Sequence, residues 1–281
     1  MNPPARNTQR GEFPFWLLAA ILLALLFCWL FVVNGDYRTI VRALSRGVFT
    51  TAWVSVVAYV AAAVLGLVVA LGRGARSRVI REVATFYVEI VRGIPVLVLL
   101  FYVAFVGAPA LVAAWNWLAT WPIAWGVLPA LTIRGFDMTA RAIFALTVSY
   151  SAFLSEIFRA GIESVPQAQI EGARALGLSR LVTFRFVVFP QAFRTVLPPL
   201  GNDFVAMIKD SALVSSLGVQ DITQIGKVYS ASTFLFFQTY NVVAFLYLVM
   251  TVSLSLLVRA LERYLKRHGW AGMGQGGSSR R

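Results

Sequence analysis

The sequence predicts an all-α protein, a polytopic membrane helix bundle of about six transmembrane helices. Three observations predict it. Of 281 residues, 59% are hydrophobic and only 13% charged, against about 25% charged in soluble domains. The apolar residues gather in runs of about 20, enough to cross roughly 30 Å of hydrocarbon as helices. The 25 Lys and Arg residues stand mostly at the ends of those runs, where they meet anionic headgroups and fix orientation. The net charge of +13 therefore reads as membrane topology and not as a nucleic-acid footprint. One cysteine, Cys28, excludes a disulfide within the chain and reads as a small buried apolar residue. One histidine, His268, with no ligand-spaced partner, makes no metal site.

Residues 13–33 form the first apolar run, too long for a signal-peptide core and followed by no small-residue cleavage pattern. Arg6 and Arg10 before it place the N-terminus in the cytoplasm. Residues 34–47 read as an outer connection, with Arg38, Arg42 and Arg46 spaced by four along a short helix. The second span, 48–71, has no charge and carries Ala58, Ala61, Ala62, Ala63 and Gly66, small residues that let backbones approach. Arg73, Arg76, Arg78 and Arg81 mark the cytoplasmic loop after it.

The third span is predicted over about 83–107. Glu89 and Arg92, three apart on one face, read either as a paired structural charge or as part of the transport path. Gly93 and Pro95 should bend or interrupt the helix. Residues 108–137, with Trp115, Trp117, Trp121 and Trp125, read as an outer loop bearing an interfacial aromatic belt. A crossing over 111–131 would instead invert every later segment. The fourth span, 138–159, closes on Glu156 and Arg159, which should anchor its cytoplasmic end.

Residues 163–190 are the longest polar, amphipathic interval in the chain. A helix from about Pro166 to Ser179 would set Ile170, Ala173, Leu176 and Gly177 on one side and Gln167, Glu171 and Arg174 on another. The fifth span, 193–217, is broken by Pro198-Pro199, Gly201-Asn202-Asp203 and Lys209-Asp210. Such breaks are tolerated only against protein or a water-filled cavity. Asn202, Asp203, Lys209 and Asp210, with Glu89 and Arg92, are the candidate translocation-path residues, although Asp203, Lys209 and Asp210 equally suit an ion-pair lock. Residues 218–240 form an outer, partly amphipathic connection, and the last span covers about 241–257, leading into a basic segment. The tail 268–281 is Gly- and Ser-rich and predicted disordered.

Within 163–190, Glu171-Gly172-Ala173, then Gly177 after three intervening residues, then Val187, Phe189 and Pro190 fall at the spacing of a signature. The stretch resembles the cytoplasmic Glu-Ala-Ala motif of permease subunits of ATP-binding-cassette importers, departing from it at Gly172, Val187 and Phe189. The segments Val91-Arg92-Gly93-Ile94-Pro95, 198–202 and 209–218 resemble those of the polar amino acid uptake branch. The likeness covers about 47–267, leaving 1–46 as an N-terminal tail, an extra helix and its outer connection.

The resemblance implies a subunit that forms half of a translocation path and docks an ATPase through a cytoplasmic coupling region, 161–190. The ATPase-coupling residues it implies are Glu171, Gly172, Ala173, Gly177 and Pro190. It also implies two ATPase subunits, a second permease subunit (identical or homologous), an extracytoplasmic solute-binding protein, membrane lipids and an amino acid substrate as partners. The chain has no phosphate loop ending in Gly-Lys-Ser/Thr, so ATP and Mg are expected on the partner ATPase and no cofactor on this subunit. It has no catalytic constellation either. The expected location is the bacterial inner (plasma) membrane, multi-pass, with both termini cytoplasmic. A permease for another small polar solute, an ion-coupled carrier and a non-transporting assembly scaffold stay open as alternatives.

Overall fold

The computed structural model describes residues 15–268. The side chains of Cys28 and His268, Arg6, Arg10 and the tail 269–281, for which the sequence makes predictions, lie outside the described set. In chain order the helices are α1 (Phe15–Val33), α2 (Gly35–Arg73), α3 (Arg78–Gly93), α4 (Val96–Tyr102), α5 (Ala108–Leu118), α6 (Thr120–Ala124), α7 (Met138–Glu163), α8 (Gln167–Ala175), α9 (Arg180–Thr183), α10 (Phe189–Asp210), α11 (Ile222–Thr233) and α12 (Phe236–His268). Among the described residues four helical stretches are long and apolar enough to cross a membrane: Gly35–Arg73, Val96–Leu118, Met138–Glu163 and Phe236–Leu265. With α1 and α10 they make up the six that the sequence predicts.

α7 is the axis of the bundle. Its buried face, from Ala142 through Ser155, meets α2 along Val54, Ala58, Ala62 and Gly66. These α2 positions recur about every fourth residue and so form one stripe. Small side chains let the two backbones close up: a Cβ on Gly66 would fall 2.8 Å from the Ser151 carbonyl oxygen. The outward face of α2 carries Val60, Val64 and Val68, each about 60% exposed, as a lipid-facing surface should. Three hydroxyls inside α7 bond to their own helix, with Thr147, Ser151 and Ser155 donating to the carbonyls of Ile143, Val148 and Ala152. A second core joins the first half of α2 to α11 and α12 through Ile40, Leu44, Ile222 and Val242. There Asp221 caps α11, accepting from the Gln224 amide at 2.7 Å and the Tyr247 hydroxyl at 3.1 Å. Burial pushes its carboxyl up from the ordinary range, against those hydrogen bonds.

Four expectations are corrected. Residues 35–47 are the first turns of α2 and not a connection, since Asn34 both ends α1 and caps the next helix through the Asp36 amide. The third span is displaced: α3 stops at Gly93, Ile94 is extended before Pro95, and the apolar crossing starts at Val96 and runs to Leu118. Residues 108–118 therefore continue a span, and the connection is confined to 119–137. The fifth span is not broken at Pro198-Pro199, because α10 passes through both and unwinds only at Ser211–Leu217, a 3-10 stretch ended by left-handed Gly218.

Two five-residue wide turns have a common cause. Val103–Gly107 precedes Pro109, and Phe184–Val188 precedes Pro190. In each, a proline without an N–H would meet the carbonyl four residues back. The residue before it bonds five back instead, Ala108 to Val103 and Phe189 to Phe184.

Because the α2–α7 approach leaves no room for a methyl, Gly66→Ala should destabilise the protein by about 1–3 kcal/mol, in the range of overpacking. Val64→Ala on the lipid side should stay within about 0.5 kcal/mol. Thermal unfolding of the two variants side by side checks this.

Candidate coupling site and solute path

At the end of the bundle where α2 and α3 meet, three arginines from three helices converge on one carboxylate. Glu156 of α7 accepts from Arg73, the last residue of α2, at 2.6 Å. It also takes Arg159 at 2.8 Å and Arg92 of α3 at 3.3 Å. Arg159 continues to Glu163 at 2.7 Å, so the chain of charges reaches the last residue of α7. The sequence expected Glu156 and Arg159 to anchor this end, and they do. It did not anticipate Arg73. The expected Glu89–Arg92 pair is absent: Glu89 is exposed, while Arg92 turns to α7 and also lies over the Phe153 ring. A cavity of about 330 Å³ lies beside the cluster, between Arg73, Arg159, Glu163 and Phe184.

The segment after Glu163 folds back on α7 and α10. Extended Pro166 starts α8, whose Ile170 packs with Val165, Val188 and Ala192 while Ala173 is buried. Gln191 donates to the Gln169 side chain at 2.7 Å. α8 is shorter than the predicted 166–179 helix because it ends in a Schellman motif. Leu178 N–H reaches the Ala173 carbonyl and Gly177 N–H the Arg174 carbonyl, with Gly177 left-handed at φ +78°. This end also turns Leu176 outward, 82% exposed, away from the Ile170–Ala173 face on which the sequence placed it.

Of the motif residues, only Ala173 is buried. Glu171, Gly172 and Gly177 lie outward, and a Cβ on Gly172 would meet nothing within 4 Å. Pro190 sits in the first turn of α10, exposed, beside the Phe189 and Phe193 rings stacked at 5.6 Å. The result is an outward surface of Glu171, Arg174 and Leu176 on a compact, internally capped helix, with Leu181 of α9 exposed after it.

The path candidates on α10 divide. Asn202 and Lys209 are exposed; Asp203 and Asp210 are half-buried. No ion pair among the described residues joins Lys209 to either aspartate. Asp210 instead accepts the Tyr150 hydroxyl of α7 at 2.8 Å. Tyr59 of α2 donates to the Leu200 carbonyl and packs against Phe204 with ring centroids 4.8 Å apart. The lock between charges is therefore not formed, and two tyrosines that sequence reasoning missed face this part of α10. Both lie in spans read only for length and apolar character, so their signal was a phenol inside hydrocarbon. Arg92 borders this group through the Phe153 ring, which its guanidinium covers at 5.8 Å and whose centroid lies 6.1 Å from that of Tyr150.

The model of one family, the binding-protein-dependent transport system inner membrane components, matches residues 62–268. The chain belongs to that family. Relatives of this permease include the probable amino-acid permease protein YxeN of Bacillus subtilis, 30% identical over 85% of this chain and 96% of that protein. The glutamine transport system permease protein GlnP of Escherichia coli is 32% identical over 79% of this chain and 93% of its own length. A solved amino acid ABC transporter with histidines superposes with a TM-score of 0.68 at 31% identity, covering 83% of this chain and 100% of the other. The MetNI methionine ABC transporter, at 20% identity and a TM-score of 0.61, shares the fold.

In this permease the Glu156 cluster ties α2, α3 and α7 at the edge of the motif segment. Glu156→Gln would leave Arg73 and Arg92 without their carboxylate while Arg159 keeps Glu163, and should cost about 1–2 kcal/mol, between the values for exposed and buried pairs. Arg92→Gln, half-exposed and more distant, should cost about 1 kcal/mol or less. Chemical denaturation of the purified variants measures both.

Proposed function

We propose that this permease is the transmembrane subunit of an ATP-driven amino acid importer and docks an ATPase through residues 163–190. The observation that carries the reading is the short capped helix α8, with Glu171, Arg174 and Leu176 presented outward and Ala173 fixed inward. A helix held by its own Schellman cap is a rigid body that can seat in a groove and transmit displacement. α8 follows α7 through Pro166 and packs on α10, so a push on it reaches the helix that carries Asp203 and Asp210. The names of the relatives supply the substrate class.

In this reading two ATPase subunits bind ATP and Mg, a second permease subunit completes the path, and an extracytoplasmic binding protein delivers the solute. The permease lies in the bacterial inner membrane with both termini cytoplasmic. Its arginine-rich end, from Arg73 to Arg81 and from Arg174 to Arg194, is the inner one. Residues 161–190 are the coupling region within a permease unit of 47–267, preceded by an additional helix. The solute passes beside the unwound end of α10, near Asn202, Asp203, Lys209 and Asp210, as alternating access about a discontinuous helix requires.

Purified full complex, with its binding protein and an amino acid panel, should show ATPase stimulation by a subset of the panel. No stimulation of an intact complex by any amino acid would remove the substrate class. Gly177→Ile forces a β-branched residue to positive φ, costing about 1–2 kcal/mol locally. It should leave the complex membrane-inserted while uncoupling ATP hydrolysis from uptake; unchanged uptake in vesicles would move docking away from α8. Neutralising Asp203, Lys209 and Asp210 together should change substrate selectivity or uptake rate, and an unaltered profile would place the path elsewhere.

A further inference from the structure

The connection after α5 builds a feature that transport as proposed does not use. From residue 108 to residue 133 there is no charged side chain, and four tryptophans lie in this interval. Trp117, Trp121 and Trp125 are each more than 70% exposed. Behind them a groove of about 480 Å³ runs between α5 and the returning length of chain, lined by Leu111, Val112, Trp115, Leu131 and Phe136. The returning wall is held in place and not draped. Asn116 donates to and accepts from the Leu131 backbone, at 2.8 and 2.9 Å, as a neighbouring strand would. Arg141 donates to the carbonyls of Ile133 and Phe136 at 2.9 and 2.8 Å. These bonds satisfy backbone groups that hydrocarbon would leave stranded.

The returning segment carries one exposed arginine between residues that line the groove. Arg134 lies between the lining residues Thr132 and Gly135, is exposed, and takes part in none of the ion pairs among the described residues. The nearby Asp137 carboxylate is engaged in capping α7 through the Ala140 amide at 2.8 Å. An apolar slot whose wall segment carries an exposed arginine outside those ion pairs is complementary to an amphiphile with an anionic head. A protein partner fits less well: protein docking sites carry a polar rim, whereas exposed tryptophans beside hydrocarbon are the mark of the headgroup level.

We propose that this groove is a binding site for an anionic phospholipid, with an acyl chain between α5 and residues 130–136 and the phosphate at Arg134. The exposed tryptophans set the depth of the segment in the membrane, and the lipid completes its packing.

The test uses the full complex in bilayer discs of equimolar phosphatidylglycerol and phosphatidylcholine with identical chains, extracted gently, with retained lipid measured by mass spectrometry. Wild type should retain phosphatidylglycerol over phosphatidylcholine about fivefold, the ratio that one arginine at an anionic surface supports. Arg134→Gln should bring the ratio close to one, and high salt should erode it in wild type. Val112→Trp, which fills the groove, should lose the retained lipid itself. If that variant fails to assemble, the Arg134→Gln ratio decides alone. Equal retention of the two lipids by wild type, or a ratio unmoved by Arg134→Gln, overturns the proposal. An Arg134→Gln complex with the wild-type lipid ratio and no stimulation by the binding protein would assign the surface to that protein instead.

Discussion

Everything in this bundle depends on how closely α2 and α7 approach. In a membrane there is little hydrophobic gain from burying one apolar helix against another, since lipid is as apolar as leucine, so packing and internal hydrogen bonding have to hold the helices together. Ala58, Ala62 and Gly66 answer the first need by removing side chain from the contact, and bonds between helices answer the second, with Tyr87 of α3 donating to the Val148 carbonyl and Thr147 of α7 reaching the Ala58 carbonyl. With that pair fixed, α3, α4 and α10 each pack on α7.

The same backbone economy governs where helices bend. Each wide turn sits directly before a proline and supplies the longer-range bond that the ring would otherwise prevent. One of them lies in a crossing; the other joins the motif segment to α10. Pro198 and Pro199, by contrast, sit within a helix that continues, and the chain unwinds only beyond Asp210. The polar end of α10 is thereby brought to Tyr150, so an aspartate that would be costly in hydrocarbon has a phenol as its partner.

Glu156 connects this frame to the surface segment. It is two turns from the end of α7, receives arginines from two other helices, and through Arg159 is linked to Glu163, from which the motif segment departs. A displacement of α8 is thus applied to a helix end that is cross-braced and not to a free one. Arg92, the longest and most exposed arm of the brace, borders the Gly93–Pro95 interruption at which α3 ends.

Much of this was legible in the sequence. Uncharged runs of hydrocarbon length determined the helical membrane class, because backbone polar groups in lipid allow little else. The spacing of Glu171, Gly177 and Pro190 singled out the polar segment, although Gly177, read inside a helix to Ser179, is the left-handed residue that closes a shorter one. What the tertiary structure alone decided was partnership. Arg92 lies three residues from Glu89 yet pairs with Glu156, 64 positions away, because the α3–α7 contact brings that carboxylate nearer. Leu176 follows Ala173 at helical spacing yet faces outward, because the helix has already ended. Periodicity reports which residues share a face only while the helix lasts, and charge spacing reports pairs only when no other helix supplies a better one.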